Sequence, residues 1–132
     1  MALAFPTACR TALGTALVTY AGSGALLKIF AGTQPATGGA ETTKLAQLTF
    51  SGNIGTCTNG AITLNIPASD TSADDTGTAT WARITQSNGT TVVVDMNVTA
   101  TAGGGSLTLD SIAVTLGGTV AITSGSITVG NA

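Results

Sequence analysis

The spacing of apolar residues along this chain changes once. Between residues 7 and 20, Leu13, Ala16, Leu17 and Tyr20 recur at the three- and four-residue steps of a helix. The pattern predicts a helix over 7–20, capped by Thr7 after Pro6 and stopped at Gly22. Gly14 weakens it by up to about 1 kcal/mol relative to alanine, so a segment this short needs a surface to pack on. Beyond it the period falls to two. Strands are predicted over 25–31, 44–52, 61–67, 106–110, 112–116, 119–123 and 126–129, with a hairpin inside 78–98. In 61–67, Ile62, Leu64 and Ile66 alternate inward. Gly117-Gly118 reads as a hairpin turn, and a bulge or bend at Ser124-Gly125 reconciles the opposite parities of Val120/Ile122 and Ile127/Val129. Polar loops fill 32–43 and 68–77. No fixed-period repeat and no linker divides the chain. The reading is a single mainly β domain over 1–132, an antiparallel β-sandwich or jelly roll with a short N-terminal helix.

The hairpin WARITQSNGTTVVVDMN admits two registers. A two-residue Asn88-Gly89 turn puts Trp81, Arg83, Val92, Val94 and Met96 on one face, with Arg83 in the middle of an apolar layer. A three-residue loop with Gly89 left-handed sets Gln86 opposite Thr90. One face then holds Ala82, Ile84, Val92, Val94 and Met96. The other holds Trp81, Arg83, Thr85, Val93, Asp95 and Asn97. An uncompensated charge in a core costs several kcal/mol, more than a turn preference is worth. The second register is therefore favoured, with Arg83 diagonal to Asp95. Trp81, Arg83 and Asp95 become candidate partner contacts on an outer sheet face, unless the chain's own helix or a loop covers them. Loop 32–43 is expected to be mobile in the free subunit or to act as a contact arm.

Composition narrows the function. The chain has 132 residues, of which only 8% are charged, with a net charge of −2. Ordinary domains carry about 25% charged residues, and a surface this neutral is poorly protected against association. Four scattered basic residues make no phosphate-binding stripe, so nucleic acid is not an expected partner. No apolar run reaches the roughly 18 residues of a membrane helix. Residues 1–30 have no basic residue ahead of their apolar part, so they are not read as a secretion signal and synthesis is taken as cytosolic. Cys9 and Cys57 are then two reduced, partly buried thiols rather than a bridge. The chain has no histidine, which excludes histidine-based catalytic triads within it. Two cysteines alone make no closed zinc site. Asp70, Asp74 and Asp75 lack the spacing of a calcium-binding loop. Gly103–Gly105 lacks the Lys-Ser/Thr of a phosphate loop and reads as a flexible turn. Neither a catalytic residue nor a cofactor or metal is expected.

Three stretches, GSGALLKIFAGTQPAT, DTSADDTGTATWARITQSNGTTVVVD and LTLDSIAVTLGGTVAITSGSITV, resemble small virion structural proteins of tailed bacteriophages. The middle stretch is the most specific of the three. The resemblance implies a many-copy subunit assembled on the phage particle after synthesis in the host cytoplasm. It further implies a capsid decoration or cement protein on the major capsid protein shell, forming dimers or trimers. A tail-associated fibre, tip or sheath component is the alternative, and a carbohydrate-binding adhesin module a more distant one.

Overall fold

A computed structural model describes residues 3–36 and 38–129. Helix α1 (Thr7–Ala21) is followed by β1 (Leu26–Ala31), β2 (Thr43–Thr49), β3 (Gly55–Thr58), β4 (Ala61–Leu64), β5 (Gly77–Thr78), β6 (Trp81–Thr85), β7 (Val92–Ala100), β8 (Leu107–Leu109), β9 (Ala113–Val114) and β10 (Ile122–Thr128). Eight strands form one curled sheet in the order β2-β1-β6-β7-β8-β10-β4-β3, and β5 pairs with β9. The mainly β class and the N-terminal helix are as the sequence predicts. The sheet is mixed, because β7 and β8 run parallel while the other pairs are antiparallel.

Alternation builds the core. In β1, Leu27 and Ile29 point inward, opposite Ile84 and Ala82 of β6. Met96 and Val98 of β7, Leu107 and Leu109 of β8, Ile122 of β10 and Ile62 and Leu64 of β4 continue the layer, all buried. Gly125 in β10 lets this layer close, since a Cβ there would press on Leu64 and Leu107. Burying each such large apolar side chain is worth about 1.5–3 kcal/mol.

The helix packs on a different face from the one predicted. Its buried residues are Gly14 and Ala21, with Leu17 and Val18 half-buried, while Leu13 and Tyr20 are exposed. A methyl group at Gly14 would collide with Cys57 Sγ. The glycine is thus a contact point that lets the helix backbone approach β3. Thr7 opens the helix and does not cap it; Pro6 holds the N-cap position and no side chain caps the end.

Several strand boundaries also differ. Asn59 and Gly60 both have positive φ and close a two-residue hairpin in which Thr58 faces Ala61, so a strand absent from the sequence reading, β3, precedes β4. β4 ends at Leu64, and Ile66, expected inward, is exposed. The two predicted C-terminal strands are one, β10, whose register shifts between Ile122 and Ser124, just ahead of the expected bend. Gly117-Gly118 does turn, with Gly118 N–H donating to Thr115 O. Its flanks pair elsewhere, however: β9 with β5, and Val120 with Asp70.

Gly103–Gly105 proves to be a tight return. Parallel neighbours usually need a crossover of about a dozen residues or more. Residues 101–106 suffice here because β8 pairs with only the last part of β7, Val98–Ala100. Gly103 N–H donates to Ala100 O, and Gly105 N–H to Thr99 Oγ1. A Cβ at Gly103 or Gly105 would lie 2.7 or 2.8 Å from the Thr99 side chain.

Candidate functional site

The β6–β7 ladder runs in a register two residues beyond the favoured one. Trp81 faces Asn97, Ala82 faces Met96, Arg83 faces Asp95 and Ile84 faces Val94. A shift of two preserves side-chain parity, so Trp81, Arg83, Asp95 and Asn97 share the face opposite the core, as expected. The turn is longer than predicted: Gln86 N–H donates to Thr91 O, closing residues 87–90, with Gly89 left-handed at φ 77°. A bulge at Val93 absorbs the difference. It carries Val92 away from the core face, to pair with Thr85, and lets Val93 pack against the core cluster.

β1 completes this outer face. Lys28 is opposite Arg83 and Phe30 opposite Trp81. The Phe30 and Trp81 rings stack with centroids 4.2 Å apart at 15°. Arg83 Cζ sits 5.2 Å from the Trp81 centroid, within cation–π range. Its Nε and Nη2 grip Asp95 Oδ1 and Oδ2 at 2.6 and 2.9 Å, a bidentate geometry that fixes orientation as well as distance. The Asp95 hydrogen bond, against the opposing effect of burial, raises the Arg83 pKa above its ordinary value. The guanidinium therefore stays charged.

The expectation that Trp81, Arg83 and Asp95 are open to a neighbour is corrected by their burial. Trp81 is 0% and Arg83 3% exposed, and the Asp95 side chain is 8% exposed. The cover is the β1–β2 loop, the segment expected as a mobile region or contact arm. It lies down on the face and is tied at several points. Thr42 Oγ1 accepts from Trp81 Nε1 at 2.9 Å and donates to Ala31 O at 2.5 Å. Gly39 O accepts from Arg83 Nη2 at 2.8 Å. Glu41 Oε2 reaches Lys28 Nζ at 3.1 Å and Arg83 Nη1 at 3.9 Å. Lys28 Nζ also donates to Gly89 O at 2.7 Å, joining the hairpin tip to the same cluster.

Two cations placed opposite each other on neighbouring strands repel. Glu41 lies between Lys28 and Arg83 and offsets that repulsion, while Asp95 neutralises Arg83 from the other side. The four charges balance and face one another; Lys28, Arg83 and Asp95 are largely shut off from solvent, and Glu41 closes the cluster at its outer edge. The arrangement is a clasp that holds a loop to a sheet.

The remaining acidic groups serve local structure. Asp70 accepts from Gln47 N–H and Ser72 N–H, Asp75 accepts from Thr76 N–H, and Asp74 lies 3.5 Å from Lys44. Among the described residues, no three His, Cys, Asp or Glu side chains are grouped to hold a metal ion. Cys9 is exposed, not partly buried as expected; Cys57 is half-buried, and both are free thiols. No described helix is long and apolar enough to cross a membrane. Comparison with known proteins gives no match to a family model, to a curated protein or to a solved structure.

Proposed function

We propose that this chain is a non-enzymatic structural subunit of a tailed-phage virion, a decoration or cement protein that stabilises the head shell. The observation that carries the reading is where the charge goes. Of ten charged side chains (four basic and six acidic), Lys28, Glu41, Arg83 and Asp95 are consumed in the clasp and Lys44 is paired with Asp74. The surface that remains is largely threonine, serine, alanine and glycine. It carries exposed apolar side chains at Leu3, Leu13, Tyr20, Ile66 and Leu116. So little like-charge repulsion suits a protein that lives packed among neighbours. The resemblance of its three stretches to virion proteins points the same way.

The test is to mix the purified protein with phage heads and with tails, sediment each, and locate the protein by cryo-electron microscopy. The proposal expects a regular array on the head surface. Density on the tail alone would replace the decoration reading with the tail-component one, and density on neither would overturn both.

A further inference from the structure

One end of the sheet is open. The β3–β4 hairpin closes with Thr58 facing Ala61, and Asn65 N–H donates to Ile54 O. Bonded pairs alternate along an antiparallel ladder. Residues 54, 56 and 58 therefore turn their backbone groups toward β4, while Gly55 and Cys57 turn theirs away. β3 is the last strand of the sheet. Among the described residues no hydrogen bond reaches the outward N–H and C=O of Gly55 or Cys57. An open cavity of about 310 Å³ lies along this edge, with Gly55 and Cys57 on one wall and Thr15, Val18 and Thr19 of α1 on the other. Gly55 has little surface of its own, yet it borders that space.

Free ladder groups beside open space suit strand addition, in which an extended backbone is what is recognised. Sheets guard such edges with charge, proline or a bulge. The chain has no charged residue between Lys44 and Asp70, and β3 pairs with β4 in unbroken register without a proline. With nothing to repel its own kind, the edge fits a second copy of itself. About a two-fold axis through Thr56, Gly55 lies opposite Cys57 of the second copy and the reverse. Each pair exchanges both N–H···O bonds, and the two Thr56 side chains meet directly. A shift of two residues would set Cys57 against Asn53, whose carbonyl already accepts from Asn65 Nδ2, or Gly55 against Asn59 in the turn. The strand's own parity thus selects one register.

We propose that the β3 edge is the contact of a two-fold dimer, in which β3 of two copies pair antiparallel across Thr56 and join their sheets. α1 leans on Cys57 and Ile62 through Gly14, so it lies over β3 and β4. The axis brings two such helices side by side above the seam, and they supply contact that so short a strand lacks. This goes beyond the virion reading and stands on hydrogen-bond geometry and the absence of charge. It concerns the protein free in solution. Its failure would leave shell binding untouched, and a protein absent from the phage particle would still pair through this edge.

The experiment is sedimentation equilibrium with residue-resolved hydrogen exchange on the full chain, free of phage particles, and on two variants, Thr56→Asp and Thr56→Lys. Thr56 is exposed, so neither change touches the core. The proposal expects a monomer–dimer equilibrium in which the Gly55 and Cys57 amides exchange more slowly in the dimer. Each variant alone sets like charges directly opposite and should weaken the dimer by about tenfold or more. An equimolar mixture of the two should restore it, because opposite charges then meet at the axis. If a variant does not fold, protection of the two amides in the unaltered chain decides alone. A full chain that stays monomeric, charged variants that associate undiminished, a mixture that does not recover, or a dimer that leaves both amides unprotected would each overturn the proposal. Protection of these amides only on adding capsid shells would assign the edge to a shell strand and overturn the second-copy partner.

Discussion

Arg83 and Asp95 form the pair on which the outer face depends. Removing one partner of a buried pair strands the other, at a cost of about 3–5 kcal/mol. Arg83→Ala and Asp95→Ala should each lower stability by that order in urea titrations, and the double variant should cost much less than their sum. Because the Arg83 pKa is raised, its contribution is fully present below the ordinary arginine value and lost only as pH climbs through the higher folded one. Stability carried by this pair should therefore not fade on the alkaline side of the working range. Glu41→Gln leaves Lys28 facing Arg83 without its bridge. Glu41 is partly solvated, so the expected loss is smaller, about 1 kcal/mol, and should appear as faster amide exchange in residues 38–42. Trp81→Ala should cost about 3–5 kcal/mol, as for a large, fully buried aromatic, and would be read as a lowered urea midpoint. Much of this face was legible beforehand, because segregation of charge from the apolar layer requires Trp81, Arg83 and Asp95 on one side. Its cover was not. Yet KIF (28–30) and WAR (81–83) each space a cation and an aromatic two apart in opposite orders, which is the signal that an antiparallel pairing would match Lys28 with Arg83 and Phe30 with Trp81.

At the scale of elements, two glycine sites decide packing. Gly14→Ala gains helix propensity but forces a methyl group into Cys57 Sγ. The net effect should be a loss of about 1–3 kcal/mol, largely recovered in Gly14→Ala/Cys57→Ala; thermal melts of both variants check this. Gly105→Ala should likewise destabilise, by crowding Thr99 where the chain doubles back before β8. The helix was legible as a helix but not in its orientation, because an apolar stripe over Leu13 and Tyr20 competes with close approach through Gly14, and close approach wins. Strand β3 was missed because GTCT is short and carries little alternation. The Asn59-Gly60 pair after it was its one strong signal. Pairing between distant segments, such as β5 with β9, leaves no local trace in the sequence.

At the scale of the molecule, edges and charge matter together. An unprotected sheet edge invites pairing with other chains. The β2 edge is shielded by the preceding loop of β5: Asp74 N–H donates to Leu45 O, and Asp70 accepts from Gln47 N–H. A nearly neutral exterior adds little repulsion between copies, so association should depend only weakly on salt across the physiological range, a point sedimentation at low and high ionic strength would check. The clasp also has an optical consequence. Trp81 is the chain's single tryptophan, fully buried, with its indole N–H bonded to Thr42 of the β1–β2 loop. Intrinsic emission from this protein is therefore a one-residue gauge of whether the β1–β2 loop is seated. Any partner that lifts the loop should shift the spectrum to the red and open the indole to acrylamide quenching, whereas a partner that binds elsewhere should leave the light unchanged.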